Sequence, residues 1–272
     1  MIIKDSTKKP VTDWLTIIAI AAIAVSLTGA FHEGVHALSC VILGGELQEY
    51  SAFHVAHENL TTSQGKIVAG SASIANLILG ILFLVLLRRS HRKSAELQFF
   101  VWLMMLINLL KGAGYWMFSG ISNVGDWAVV ISGWEPYWLW RTAMAIFGTG
   151  VYTYCVWIAL HELGKIIGGK ADEQISRANK LGILSYSASI MVVAFAGINN
   201  PYGIASLPVV AGLLAVLGGL SPLVWMMQWF RANMFKKLQK KPLEINRQWF
   251  WIVTGLAVVF GYSFILGRTV YF

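Results

Sequence analysis

The fold class follows from one stretch of the sequence, WLTIIAIAAIAVSLTGAFHEGVHALSCVILGG, residues 14–45. Its first 18 residues carry no charge, and a helix needs about 20 predominantly apolar residues to cross the hydrocarbon core of a bilayer. The stretch therefore predicts a membrane span. Three ionisable side chains, His32, Glu33 and His36, lie near its end, and the pair Gly44–Gly45 indicates where the helix stops.

The composition of the whole chain extends this prediction. Of the 272 residues, 57% are hydrophobic and only 12% are charged, with a mean hydropathy of +0.63. Soluble domains carry about twice that fraction of charge, so a soluble globular protein is excluded. We expect an all-α, polytopic transmembrane helical bundle of about seven spans, plus a short or re-entrant helix at 119–140. The expected spans lie near residues 14–43, 66–87, 97–118, 142–163, 181–196, 204–230 and 249–266.

The charge pattern indicates a lipid bilayer rather than a nucleic acid as partner. The formal net charge is +8, but the basic residues occupy short segments between apolar runs, as the positive-inside rule describes. Lys4, Lys8 and Lys9 then place the N-terminus in the cytoplasm, in a multi-pass protein. The two cysteines, Cys40 and Cys155, lie inside apolar segments and have neither metal-site nor disulfide spacing.

The polar trio of the first span forms an HExxH sequence, His32-Glu33-Gly34-Val35-His36. Residues four apart share one face of a helix, so both imidazoles can reach one Zn²⁺ ion. Glu33 is then placed to act as general base towards a water molecule. Ionisable residues within a span are costly and usually functional, so the motif predicts a zinc site with His32 and His36 as ligands.

Three segments of the chain together resemble the site-2 protease family, the intramembrane zinc metalloproteases of peptidase family M50, and in particular its divergent M50B-like members. The first is HEGVHALSCVILGG, in which small residues and glycines follow the zinc motif. The second, AGSASIANLILG, contains Gly70 and Asn76 and is similar to a G-x-x-x-N-like stretch of the next span in that family. The third, SNVGDWAVV, contains Asp126 and resembles the segment that supplies an aspartate ligand.

The resemblance implies both an organisation and a set of roles. No Pro/Ser-rich linker divides the chain, so residues 1–272 would form a single integral membrane domain; the resemblance implies a metalloprotease-like core over 13–135 and additional transmembrane helices over 141–272. Asp126 would be the third Zn²⁺ ligand, beside the two histidines. Asn76 would bind substrate, by orienting its backbone.

The residues themselves leave two of these roles open. Asp126 is also a good helix N-cap, as is Asn123, and His54, His57 and Glu58 are alternative ligands if their loop returns to the motif. Asn76 could equally make an interhelical hydrogen bond, because an unpaired amide is disfavoured in a membrane.

A second stretch, LHELGKIIGG at 160–169, resembles the zinc motif but has Lys165 where the second histidine should stand. A protonated lysine has no lone pair for a metal. We interpret His161 and Glu162 as part of a helix end at the membrane boundary. Lys165 would favour the helix dipole there, and Gly168–Gly169 would stop the helix.

These observations predict an intramembrane zinc metalloprotease, a hydrolase that cleaves peptide bonds in membrane-spanning or membrane-associated segments of a protein substrate. Glu33 would be the catalytic residue. The alternative is a catalytically inactive M50-like membrane protein that acts as a binding or scaffold partner. The absence of the family's N-x-x-P-x-P stretch favours the alternative, and the intact Glu33 favours the enzyme.

Overall fold

A computed structural model of the chain describes residues 12–89, 94–229 and 241–272, apart from the side chain of Asp172. Within these ranges, seven helices are long and apolar enough to cross a membrane. This confirms the predicted all-α bundle of a multi-pass membrane protein. The residues on which the orientation of the N-terminus was predicted, Lys4, Lys8 and Lys9, lie outside the described residues.

The described residues form helices for most of their length, with three short strands. The helices are α1 (Trp14–Ile42), α2 (Thr62–Arg89), α3 (Ala95–Ser122), α4 (Asp126–Val130), α5 (Tyr137–Ile166), α6 (Ala171–Ile198), α7 (Leu207–Gly219), α8 (Pro222–Trp225) and α9 (Trp249–Gly261). The strands are β1 (Glu46–Tyr50), β2 (Val55–Glu58) and β3 (Val270–Tyr271). A 3₁₀ turn, Met226–Gln228, follows α8, and a π-helical turn, Tyr262–Leu266, follows α9.

Helix α1 is the central element and contacts α2, α3, α6 and α9. Asp13 caps its start, since its carboxylate accepts a hydrogen bond from the backbone N–H of Thr16 at 2.9 Å. At the other end Gly44 adopts φ +83°, a conformation that favours glycine. The predicted start and end of this helix are therefore confirmed.

Small residues bring α3 close to both neighbours, α2 and α5. A Cβ added at Gly112 would lie 2.7 Å from the carbonyl oxygen of Ser73 on α2. A Cβ added at Gly148 would collide with the backbone nitrogen of Met117. Such close approach is typical of membrane helices, which lack a hydrophobic driving force for association and rely on packing.

The predicted spans 181–196 and 204–230 differ most from the structure in their bounds. Helix α6 begins at Ala171, ten residues before the predicted start at 181, because its first turns carry polar side chains that an apolarity criterion does not detect. The predicted span 204–230 is divided into α7, α8 and the 3₁₀ turn. Pro222 starts α8, and proline lacks the N–H that would continue the preceding helix.

The segment after α1, expected as a polar connection, forms a β-hairpin instead. Strands β1 and β2 pair antiparallel with an irregularity between Leu47 and Glu49, and β3 pairs with the other edge of β1. The order of the sheet is therefore β2-β1-β3. The short strands lie among polar residues, so neither hydrophobic alternation nor length indicated them.

Ion pairs lie at the end of the bundle where α1 begins. The Glu162 carboxylate accepts hydrogen bonds from Arg88 at 2.7 and 2.9 Å and from Lys165 at 3.0 Å. Asp13 forms an ion pair with Arg247 at 2.9 Å. Along α2, Arg88 at this end lies 26 residues, or about 39 Å, from the start of the helix at Thr62.

The packing of α5 on α3 predicts the outcome of a matched pair of substitutions. Gly148→Ala should lower the apparent melting temperature in detergent, by the equivalent of about 1–3 kcal/mol, because the new methyl group meets backbone atoms. Gly150→Ala should leave it unchanged or raise it slightly, since nothing lies within 4 Å of its Cβ position. Equal effects of the two substitutions would contradict this packing.

Candidate metal centre

The last turns of α1 carry the HExxH side chains into the interior of the bundle. His32, Glu33 and His36 are 1%, 6% and 8% exposed. The two imidazole rings meet edge to face with their centroids 4.9 Å apart, as expected for residues four apart on one face. Burial of three ionisable groups in so apolar a helix requires partners for each of them.

Asp126 is brought to the two histidines by a sharp reversal of the chain after α3. Asn123 ends α3 in the left-handed conformation, with φ +60°, and Gly125 follows with φ +92°. Asp126 then opens α4, a helix of five residues that packs on α2 and α3. Its position is fixed by the neighbouring Trp127, whose indole N–H donates to Ser73 Oγ at 2.6 Å.

The Asp126 carboxylate faces both imidazoles. Its Oδ2 atom lies 3.3 Å from His32 Nε2 and 3.4 Å from His36 Nε2. The N-cap of α4 is Gly125, with no side-chain hydrogen bond, so the helix-cap alternative considered for Asp126 is not what the structure contains.

His32, His36 and Asp126 form the one cluster of three or more His, Cys, Asp or Glu side chains, among the described residues, whose ligand atoms lie within 4.8 Å of one another. His54, His57 and Glu58, the alternative ligands, line the same pocket as Asp126 but do not belong to this cluster. His54 there bonds Glu49, with Nε2 and Oε2 2.9 Å apart. The geometry thus selects Asp126 among the alternatives that the sequence left open.

The donor set fits a tetrahedral metal ion. His36 Nδ1 lies 2.8 Å from the carbonyl oxygen of Val68, and His32 Nδ1 lies 2.6 Å from Asn76 Oδ1. Both oxygens are acceptors, so in each neutral ring Nδ1 carries the proton and Nε2 presents a lone pair. The Oδ2 atom of Asp126 is buried without a hydrogen bond.

Nε2 of both histidines and Oδ2 of Asp126 thus face one another with lone pairs. A cation between them would stabilise this arrangement. Metal–ligand bonds of about 2.0–2.1 Å in a tetrahedral zinc site separate neighbouring ligand atoms by about 3.3–3.4 Å. The two measured distances between Asp126 and the histidines agree with that separation. Three protein ligands leave a fourth position free, as in catalytic zinc sites.

Asn76 lies beneath the cluster rather than at its open side. Its side chain is fully buried, with the amide oxygen on His32 and the amide nitrogen donating to Asn108 Oδ1 at 2.8 Å. These are the contacts of the interhelical alternative, and they support a positioning role in place of the predicted substrate-binding role. The ring of Tyr115 stacks on His32, with centroids 4.8 Å apart, and helps to fix its plane.

Glu33 borders a pocket of about 530 Å³ together with His36, Tyr115 and Asp126. Lys111, on α3 one turn before Tyr115, interacts electrostatically with both Glu33 and Asp126. Asn108, Lys111 and Tyr115 were not identified from the sequence. A signal was present, since an asparagine and a lysine inside an apolar span are as costly as the histidines.

The β-hairpin forms the outer wall of this pocket, which Phe53, His54, Val55, His57 and Glu58 help to line. Its tip is anchored to the C-terminal helices, because positions 197 of α6 and 212 of α7 are glycines and leave room for the Phe53 ring.

Glu49 ties the same hairpin to the turn between α6 and α7, where its carboxylate accepts a hydrogen bond from the Tyr202 hydroxyl. Hydrogen bonds from Tyr202 and His54 lower the pKa of Glu49, and the bond to Glu49 raises the pKa of Tyr202 to about 12.

The second histidine–glutamate pair takes no part in this site. Glu162 is the buried acceptor of the ion cluster with Arg88 and Lys165, and His161 stacks on Trp157 with centroids 5.3 Å apart. Arg88 and Val68, which contacts His36, are twenty residues apart on α2, or about 30 Å. The structure is consistent with the interpretation of this motif as a helix end.

Comparison of the chain with protein-family models, with curated proteins and with solved structures found no match. The resemblance to the site-2 protease family therefore stays a prediction drawn from the three sequence segments. The geometry described above is independent of it, because it follows from the positions of the side chains alone.

The cluster predicts which acidic residue controls metal affinity. Asp126→Ala should weaken zinc binding by more than about 100-fold, the upper range for losing an outer-shell partner, because a direct ligand is removed. Glu135→Gln, an exposed position in the same segment, should leave the affinity unchanged. The measurement is competition with a chromophoric chelator on detergent-purified protein. Wild-type affinity in Asp126→Ala would redirect the search for a third ligand to residues 45–65.

Proposed function

We propose that the chain is a membrane-embedded zinc metallopeptidase that hydrolyses peptide bonds in membrane-spanning or membrane-associated segments of other proteins. One observation carries the proposal: three buried ligand atoms converge beside a glutamate that borders a pocket. A structural metal site requires ligands but has no need of a carboxylate next to its open side. The combination is the one expected for metal-assisted hydrolysis.

His32, His36 and Asp126 would hold the zinc ion. When bound, zinc would act as a Lewis acid that polarises a peptide carbonyl and makes water a better nucleophile at neutral pH. The two histidines keep Nε2 available because Nδ1 of each donates to an oxygen of α2. Asp126 contributes a negative charge, which offsets part of the charge of the ion in an apolar environment.

Glu33 would move the proton. Its carboxylate accepts a proton from the attacking water as the oxygen forms a bond to the peptide carbon. It then delivers that proton to the amide nitrogen as the carbon–nitrogen bond breaks, which restores Glu33 and releases an amine and a carboxylic acid, whose remaining proton passes to the amine. Lys111 interacts electrostatically with Glu33, so its side chain lies near the proposed base.

An extended segment of polypeptide suits the pocket as substrate. Strand β2 is an edge strand of its sheet and contributes Val55, His57 and Glu58 to the pocket. An unpaired strand edge offers backbone donors and acceptors in a row, and an extended peptide can pair with them. A helical substrate would have to unwind first, because its own backbone groups are otherwise engaged.

The distribution of charge supports an orientation in the membrane. Most of the described basic residues, among them Arg88, Lys165, Lys180 and Arg247, lie at the end of the bundle where α1 begins, whereas Lys66 and Arg141 lie near the segment that carries Asp126. By the positive-inside rule we place this end, with the N-terminus, in the cytoplasm. The metal cluster and the hairpin then lie toward the opposite face.

The proposal predicts that Glu33→Gln removes hydrolysis and leaves metal binding intact. The wild type and the variant are compared in a host membrane by mass spectrometry of newly formed protein N-termini. Loss of the general base should lower the rate at which those termini appear by about 10²–10⁴-fold. Glu46→Gln, at the exposed first position of β1, should retain wild-type activity.

Two results would contradict the peptidase proposal. New termini that persist in Glu33→Gln would exclude Glu33 as the base. A wild type that binds zinc and yields no new termini would favour the alternative, a metal-binding M50-like scaffold without activity.

A further inference from the structure

Asn108 lies in the middle of α3, fully buried, and its contacts extend beneath the metal cluster. We propose that Asn108 is a positioning residue: through Asn76, it sets the tautomer of His32 that leaves Nε2 free for a metal ion. This inference rests on the proposed metal site and deepens it. Four groups carry the argument, namely the carbonyl of Met104 and the side chains of Asn108, Asn76 and His32.

The carbonyl of Met104 determines which end of the Asn108 amide is the donor. One end of the Asn108 amide lies 2.8 Å from the carbonyl oxygen of Met104. A carbonyl oxygen can only accept, so this end of the amide must be the NH₂ group. The opposite end of Asn108 is therefore the oxygen, and it faces Asn76.

The orientation of Asn108 then determines that of Asn76. Asn108 Oδ1 lies 2.8 Å from the Asn76 amide nitrogen, which must donate to it. The oxygen of Asn76 is left to face His32 Nδ1, at 2.6 Å. His32 therefore donates from Nδ1, and a neutral imidazole has its only other nitrogen, Nε2, unprotonated. That nitrogen is the one directed at Asp126.

The hydrogen bonds that run from Met104 through Asn108 and Asn76 to His32 form a relay. In His36, a single direct hydrogen bond to the backbone has the role that this relay has for His32. The Nδ1 atom of His36 contacts the carbonyl of Val68 directly, so one bond to the backbone fixes its tautomer. His32 meets α2 two turns further along, at a side-chain amide. An amide can turn over and present NH₂ instead of oxygen, which would favour the tautomer with the proton on Nε2. That tautomer cannot bind a metal through Nε2.

The apolar surroundings favour one orientation of each amide in the relay, and therefore one tautomer of His32. His32, Asn76 and Asn108 are each at most 1% exposed, so water does not compensate for a wrongly oriented amide. A mismatch would place two donors or two acceptors face to face in a medium of low dielectric, where unpaired polar groups are costly. Second-shell partners of metal ligands commonly fix the tautomer of the ligand in this way.

The experiment measures zinc affinity and the cobalt(II) absorption spectrum of detergent-purified protein. Asn108→Leu removes the relay, and Asn108→Ser keeps a small polar group that reaches the Met104 carbonyl but not Asn76. Thr28→Val is the matched control. It removes the other acceptor of the Asn108 amide, Thr28 Oγ1 at 3.0 Å, and leaves the contact with Met104.

Both Asn108 variants should bind zinc about 10–100-fold more weakly than the wild type, the range for loss of a second-shell partner. Cobalt bound to these variants should absorb more weakly than in the wild type, because His32 no longer binds it and water molecules can complete a shell of higher coordination number. Thr28→Val should keep the wild-type spectrum and an affinity within about threefold, because one hydrogen bond still orients the amide.

A purely structural role of Asn108 would lower the melting temperature of the metal-free protein and leave the spectrum of each bound cobalt unchanged. That result, or wild-type affinity in both Asn108 variants, would overturn the inference. A wild type that binds neither zinc nor cobalt would instead remove the metal site, and with it the proposed function.

Discussion

The structure depends on the approach of one carboxylate to two imidazoles inside a membrane bundle. Asp126 Oδ2 lies within 3.4 Å of Nε2 of both His32 and His36, and these nitrogens present lone pairs because their partners on α2 occupy the protons. Without a cation this is a repulsive arrangement in a medium where repulsion is poorly screened. Helices α1, α2 and the short α4 together hold these three side chains in place, and their arrangement is the main support for the proposal that the cluster binds a metal.

Several other features of the fold are needed to bring Asp126 to the two histidines or to shape the pocket beside them. Asp126 can reach α1 only because α3 ends in Asn123 and Gly125 with positive φ and the chain turns back into the bundle. Helices α2 and α3 must lie close together for Asn76 and Asn108 to bond, and a glycine at position 112 permits that approach. The C-terminal helices hold the hairpin through Phe53 and Tyr202. They therefore shape the pocket from outside the predicted core 13–135.

Much of the architecture could be predicted from the sequence, for a simple reason. A membrane span requires length and apolarity, and both can be counted along the chain, so α1 was located to within one residue at its C-terminus. His32 and His36 follow from helical spacing, and Asp126 from its resemblance to a family segment. Whether Asp126 is a ligand or a helix cap depends on the reversal of the chain at Asn123. Hydrophobic periodicity does not predict that reversal.

Contacts between two helices could not be predicted from the sequence. The Asn76 amide could have served substrate or a neighbouring helix, and only the position of Asn108 on α3 decides between them. The hairpin was not predicted either, because its strands contain four or five residues with mixed polarity. Lys111 was overlooked since a single lysine in an apolar span has no motif around it, although its cost there was a sufficient signal.

X-ray absorption at the zinc edge of the purified wild-type protein tests the central claim most directly. The account predicts about one zinc per chain with nitrogen and oxygen ligands only, at about 2.0–2.1 Å, and with the multiple-scattering pattern of two imidazoles. A sulfur ligand from Cys40 or Cys155, a single imidazole, or the absence of stoichiometric zinc would contradict it.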